Sequence, residues 1–283
     1  MGCDVRNAPR VLDVLDHDAV MDAVLEVQPT ALIHAAAITT AASDLELVDV
    51  NVCGTINALE AARVANVKHF VLLSSAGVYA PGQPEPIAEN GLTSSASAYA
   101  VSKVMAERAC ELEKSSGMTV WILRLGAIYG PGETPSRTRQ KTSIIHEVAS
   151  HTVFLRNIKT VLDNGFALSR SANDAYNFLH TRDLARLLEW IVLRSPDGQT
   201  HLYNVAGPRY TALELLRVFD QLQPNARLEA RVQWNPNPTP RHGALDPGKI
   251  ESELGWRAEI PLPDGLLDYV EHRAAQQELE VNP

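Results

Sequence analysis

Three short apolar runs, separated by stretches of helical spacing, constrain this chain more than any other feature. They are Ala31-Leu32-Ile33-His34, His69-Phe70-Val71-Leu72-Leu73-Ser74 and Thr119-Val120-Trp121-Ile122-Leu123-Arg124. None alternates apolar with polar residues, so each predicts a strand buried on both faces. Between and before them the period changes. An Asp16 cap leads into Val20, Ala23, Val24 and Val27, and from Ser43 to Asn66 the residues Leu45, Val48, Val52, Ile56, Leu59 and Ala62 recur at helical spacing. Doubly buried strands joined by helices predict an α/β fold: a parallel sheet with helices on both faces, wound by right-handed crossovers. Ligands of such sheets lie at the carboxyl ends of the strands. Here those ends carry His34 to Ala37, Ser74-Ser75 and Gly126-Ala127.

After about residue 125 the rhythm loosens. Asn177–His180 and Leu202–Val205 read as short strands, and Thr181 and Thr211 as caps of helices running to Ile191 and Leu222. Residues 133–141 are polar and read as a loop, as does the stretch holding Pro236, Pro238 and Pro240. Leu245–Leu254 and Pro263–Ala274 read as closing helices. The net charge of −9, with no basic run, argues against nucleic acid or an anionic membrane as partner. Cys3, Cys53 and Cys110 are odd in number and widely spaced, so no disulfide framework is expected and a reducing, cytoplasmic compartment fits. No apolar run reaches membrane-spanning length.

The richest chemistry lies in Ser97-Ala98-Tyr99-Ala100-Val101-Ser102-Lys103. Tyr99 and Lys103 are one helical turn apart on the same face. A cation beside a phenol favours the phenolate and makes it a usable proton acceptor. The spacing alone is equally that of a surface helix with a snorkelling Lys. His34 reads as a structural histidine, and Asp183 as an acid complementing a helix start. His146 and His151 are five apart and do not share a helix face with Glu147 as a zinc site requires, so no metal is expected.

Taken in order, the runs Asp4-Val5-Arg6; His34-Ala35-Ala36; Asn51 with Gly54-Thr55; Ser74-Ser75-Ala76-Gly77-Val78-Tyr79; Tyr99 to Lys103; Leu123-Arg124 leading to Tyr129-Gly130-Pro131-Gly132; Tyr203-Asn204; and Leu254-Gly255-Trp256 resemble the extended short-chain dehydrogenase/reductase family, the NAD-dependent epimerase/dehydratase group. The resemblance implies a Rossmann-like cofactor-binding part over residues 1–175, lacking its N-terminal piece, and a smaller, interleaved, mainly substrate-binding part over 176–283. It implies an NAD(P)-dependent oxidoreductase or epimerase acting on a hydroxyl-bearing substrate, a sugar nucleotide, with NAD and NADP not distinguished. By position, Tyr99 would be the general acid/base. Lys103 would support it and hold the nicotinamide ribose. Ser75, rather than Ser74, would bond the reacting oxygen. Asp4 and Val5 would contact the adenine, Ala35, Ala36 and Ala37 would line the cofactor, and Asn51 would lie near the active site. A homodimer through the helices at 43–66 and 96–116 would follow as well.

The chain also departs from the family pattern. The strand, Gly-rich turn and helix that hold the pyrophosphate are expected ahead of Asp4, and no Gly-x-Gly-x-x-Gly occurs. Three readings of this stay open: an enzyme without its front, a chain completed by another, or a shortened protein that has lost nucleotide binding. The last makes a non-catalytic binding or scaffold protein the alternative function. The resemblance implies that Ala31–His34 normally pairs with the first strand, and without that strand it becomes a sheet edge, which invites aggregation or a partner chain. Ala76 and Gly77 replace the acidic pair of the 4,6-dehydratases, so dehydration is not expected. Ala127 replaces a sugar-nucleotide-binding Asn. Arg241 could still clamp a diphosphate as a bidentate fork, or be a solvated surface Arg.

Overall fold

The computed structural model describes residues 11–39, 43–94, 96–113, 117–133, 143–153, 166–224, 226–238 and 241–281. The main sheet has four parallel strands in the order β1 (Ala31–His34), β2 (His69–Ser75), β3 (Thr119–Leu125) and β7 (Thr200–Val205). All seven residues of β3 are buried, which is why its sequence carries no polar alternation. The alternation is instead between two apolar faces. Phe70, Leu72, Val120 and Ile122 meet α1 (His17–Val27), α3 (Gly54–Val64) and α4 (Ala98–Leu112) through Val20, Val24, Ala61, Ala62 and Ala106. Val71, Trp121, Leu123 and Tyr203 meet α6 (Thr181–Val192) and α9 (Gly248–Leu254) through Leu184, Leu187, Ile191 and Ile250. Successive strand residues point to opposite faces, so helices cover both sides of one sheet. Among the described residues β1 is an outer strand, and its Ile33 is 41% exposed.

A second, smaller part has its own core of Tyr129, Ile145, Phe166, Tyr176, Phe178, Leu215, Phe219, Leu266 and Tyr269. It contains β4 (Ala127–Tyr129), β6 (Ala175–His180) and β8 (Arg209–Thr211) in one sheet, and β5 (Phe166–Leu168) paired with β9 (Val232–Trp234). Around these pack α5 (Ile144–Val153), α7 (Ala212–Leu222), the short α8 (Leu228–Arg231) and α10 (Leu262–Val281). The chain leaves the main sheet after β3, returns for β7 and leaves again, so the two parts are interleaved. They are joined where the backbone of β6 presses on the ends of β3 and β7. A Cβ at Gly126 would stand 2.5 Å from the Asn177 carbonyl oxygen, and one at Gly207 would meet that of Phe178.

The local signals behave as their chemistry dictates, with instructive exceptions. Asp16 caps α1 by accepting from the Ala19 N–H, and Thr211 opens α7 with a reciprocal capping box to Glu214. Thr181 is not a cap: His180 occupies that position, accepting from the Arg182 N–H through its ring. Asp183 does more than complement a helix start. Its buried carboxylate accepts from the backbone N–H groups of Glu259 and Ile260 and from Arg186, tying α6 to the segment before α10. The single helix expected over Ser43–Asn66 is α2 (Asp44–Val48), a π turn at Asp49–Cys53, then α3. The closing helices run 248–254 and 262–281 rather than 245–254 and 263–274. Most of the polar loop expected at 133–141 lies outside the described residues.

Candidate active site

Helix α4 starts where Ser97 accepts from the Ala100 N–H. That cap places Tyr99 in the first turn and Lys103 in the next. Beside them β2 ends in Ser75 and turns through a single 3₁₀ turn at Ala76–Val78, held by a hydrogen bond of 3.0 Å from the Gly77 N–H to Ser75 Oγ. Gly77 is what lets the two elements meet. A Cβ there would stand 3.2 Å from Ser75 Oγ and 3.4 Å from Cε1 of Tyr99. Ser75 and Tyr99 thus flank one small gap, while the hydroxyl of Ser74 points away and donates to Glu107.

Lys103 is 2% exposed, and its Nζ donates to the Leu73 carbonyl at 2.8 Å, under the end of β2. Burial lowers its pKa to about 8, against the carboxylate of Glu107 one turn further on, which favours the ammonium. Glu107 is itself buried and anchors a polar network. It accepts from Ser74 Oγ at 2.5 Å and from Arg124 through Nη2 at 2.7 Å and Nε at 3.0 Å. Arg124 also donates to the Tyr79 hydroxyl and the Glu89 carbonyl, both at 2.9 Å. Tyr79 then donates to Oδ1 of buried Asn204 at 2.7 Å, and the Asn204 amide reaches the carbonyls of Ile87 and Asp246. Burial alone would lower the pKa of Arg124, but the bonds and charge of Glu107 raise it, so the guanidinium stays charged. Cys110, next along α4, is pushed up to about 12, first by burial and then by Glu107, and is no nucleophile.

The loop leaving β1 is fixed from below. Asn51, buried in the π turn, accepts from the Ile38 N–H at 2.8 Å and donates to the Ile38 carbonyl at 3.0 Å and to Ser102 Oγ at 2.9 Å. Its amide clamps the loop to α4 and has no remaining N–H for a ligand. Ala35 and Ala36 are exposed and Ala37 is half-buried, so the backbone there is open to approach. His34 is buried beside them, stacked on Phe70 at a centroid separation of 6.3 Å. Burial, with help from the charge of Lys103, takes its pKa down to about 4, so the ring is neutral. Asp4 and Val5 lie outside the described residues.

A cavity of about 140 Å³ opens beside Ser75, lined by Leu125, Ala127, Tyr176, Arg241 and His242 among others. The guanidinium of Arg241 lies 5.3 Å from the Tyr176 ring centroid, and that of Arg170 lies 5.7 Å from it. The structure thus brings Ser75 together with Tyr99 near Gly77, and Ser75 and Arg241 into the lining of one cavity. A family model described as the NAD dependent epimerase/dehydratase family matches residues 4–206. The chain belongs to this family. Two relatives fall within the same group of enzymes by name. A putative UDP-glucose 4-epimerase of Methanocaldococcus jannaschii is 27% identical over 225 residues, which is 77% of this chain and 67% of that one. A probable GDP-L-fucose synthase of Oryza sativa is 25% identical over 232 residues, 76% of this chain and 67% of that one. The crystal structure of a UDP-glucose 4-epimerase from Thermotoga maritima with UDP-glucose superposes with a TM-score of 0.80 at 17% identity, covering 98% of this chain and 90% of that one. This family member is therefore an α/β enzyme of the NAD-dependent, Rossmann-fold epimerase/dehydratase type.

Reading the sequence as a string missed Glu107, Tyr79 and His242 as parts of the site. Glu107 carried a signal: it follows Tyr99 and Lys103 at intervals of four, on the same helix face. Tyr79 and His242 reach the site through contacts distant in sequence and carried none.

Proposed function

We propose that the chain is an NAD(P)-dependent epimerase or reductase that oxidises or reduces one hydroxyl-bearing carbon of a sugar nucleotide. The observation that carries this is the convergence of Ser75 and Tyr99 on the gap over Gly77, with Lys103 a turn behind. The residues present fit a nicotinamide cofactor. Lys103 uses one N–H on Leu73 and has two left for ribose hydroxyls, and the Ala35–Ala37 loop offers open backbone held firm by Asn51. When bound, NAD or NADP supplies the acceptance and return of hydride.

The protein's own groups move the proton. Ser75 Oγ already accepts from Gly77, so its O–H is available to donate to the substrate oxygen. Tyr99, on the other side of the gap, takes the hydroxyl proton as the carbonyl forms and gives it back on reduction. Lys103 stabilises the negative charge Tyr99 then carries, and buried Glu107 keeps Lys103 charged enough to do so. Arg241 at the cavity mouth holds the diphosphate. Ala76 and Gly77 offer no carboxylate, which supports redox or epimerisation chemistry over dehydration. Cys53 and Cys110 are free, in keeping with a reducing, cytoplasmic setting, and none of the described helices is long and apolar enough to cross a membrane. A homodimer through α2, α3 and α4 completes the reading.

The test is Tyr99→Phe, assayed for turnover of UDP-glucose, UDP-glucuronic acid and GDP-L-fucose with NAD and NADP. Loss of a general acid/base lowers kcat by about 10²–10⁴. Activity within a few-fold of the unaltered protein would overturn the assignment.

A further inference from the structure

The cavity beside Ser75 holds a polar group that the mechanism above does not use. His242 lines it together with Ser75 and Arg241. Its Nδ1 lies 2.9 Å from the backbone oxygen of Gly243. A carbonyl oxygen only accepts, so Nδ1 must carry the proton. In a neutral imidazole the other nitrogen, Nε2, is then an acceptor, and it has no hydrogen-bond partner among the described residues. The Glu85 side chain packs against Gly243, next to this ring.

The walls of the cavity therefore differ in kind. Ser75 contributes a hydroxyl free to donate, Arg241 a cation and His242 an imidazole whose Nε2 has no partner among the described residues. At about 140 Å³ the space is below the ~300–1,000 Å³ of sites that enclose a whole drug-sized ligand, so it takes one ring rather than a nucleotide. We propose that His242 is a specificity-determining residue: its Nε2 accepts a hydrogen bond from a hydroxyl of the sugar ring on the side away from Ser75. The inference rests on the sugar-nucleotide reading above and adds to it what the ring must carry. A ring with only acceptors at that position, such as a ketone or a carboxylate, would set lone pair against lone pair. A hydroxyl satisfies both partners, and a site built around such a bond penalises substrates that lack the donor. The charged groups acting on the ring are Arg241, which opposes its protonation, and Glu85, which favours it. Burial is the larger influence and holds the pKa below the ordinary histidine value. The acceptor is thus kept at neutral pH.

The experiment measures binding of UDP-glucose, UDP-glucuronic acid and GDP-L-fucose by calorimetry, with UDP and GDP alone as references. The unaltered protein is compared with His242→Phe and His242→Gln, the second of which keeps an acceptor oxygen. His242→Phe should weaken the best-bound sugar nucleotide about tenfold and leave the bare nucleoside diphosphate unchanged, while His242→Gln recovers most of the loss. Equal affinities for His242→Phe and the unaltered protein would overturn the role of His242 alone. Parallel weakening of the bare diphosphate would overturn it too, since His242 would then be serving the diphosphate rather than the sugar. If the unaltered protein binds none of the three sugar nucleotides more tightly than the bare diphosphates, the functional reading fails and this inference fails with it.

Discussion

At the scale of single residues, the buried charges of Lys103 and Glu107 on α4 and of Arg124 on β3 decide the behaviour of the site. Glu107 and Arg124 are both nearly inaccessible, with side-chain exposures of 3% and 4%. Removing one partner strands the other. Arg124→Met should destabilise the protein by about 3–5 kcal/mol, whereas Arg124→Met combined with Glu107→Leu should recover much of that loss. Urea titrations of the single and double variants close this cycle, and a double variant as unstable as the sum of the singles would contradict it. Lys103 gives a second residue-scale expectation, in pH. Its folded pKa of about 8 is below the ordinary lysine value of 10.5. Between these two pH values the unfolded chain binds the extra proton, so the contribution of Lys103 to stability rises with pH across that window and is lost as pH falls through about 8. The stability difference between the unaltered protein and Lys103→Met should therefore grow by about 3 kcal/mol from pH 7 to pH 11. Cys110 titrates with the opposite sign in both proteins, so the difference removes its burial contribution and leaves only its charge coupling to Lys103. A flat difference would show that Lys103 is not desolvated.

At the scale of elements, β2 and β3 were legible because burial on both faces writes continuous apolar runs at 69–75 and 119–125. The run Ala31–His34 is a strand that is not buried on both faces, since it stands at the edge with Ile33 exposed. The three-residue strands β4, β5, β8 and β9 were not legible, since no period can be read from three residues. Nor was Glu107, whose partner Arg124 lies on another element. The π turn at Asp49–Cys53 was hidden for a different reason: one extra residue in a helical turn leaves the apolar spacing on either side almost intact. Its effect is nonetheless specific, because it carries Asn51, whose amide grips both backbone polar groups of Ile38 and the hydroxyl of Ser102. Asn51→Ala leaves both Ile38 groups without this partner, while Ser102 Oγ still donates to the Tyr99 carbonyl. We expect a destabilisation of about 1–3 kcal/mol and, because the Ala35–Ala37 loop is then loosely held, weaker binding of NAD with the identity of the sugar nucleotide unaffected. Thermal melts and NAD titration check the two effects separately. Unchanged affinity for NAD would show that the loop does not need its clamp.

At the scale of the whole molecule, the two parts are joined by repeated crossings of the chain and by a polar network rather than by a single linker. Asn204 on β7 holds Ile87 and Asp246 together, and Asn177 on β6 bonds the Gly207 carbonyl while accepting from the Leu245 N–H. The site lies at that junction, with Ser75 from one part and Tyr176 and Arg241 from the other lining the same cavity. The opposite face of the sheet tells a different story. Helices α2, α3 and α4 pack side by side, yet Leu45 is 74% exposed, Leu112 76%, Ile56 44% and Met105 43%. Single exposed apolar residues are ordinary, but four on three adjacent helices mark a surface that gains by being covered. A second copy of the chain is the occupant proposed above. Leu45→Glu with Met105→Glu places like charges in such an interface and leaves the core untouched, since both side chains face solvent in the single chain. Sedimentation should then show the unaltered protein as a dimer and the variant as a monomer, with near-identical circular dichroism. A variant that sediments as the unaltered protein does would move the interface elsewhere and leave the active-site assignment standing, because none of these four residues lines the cavity.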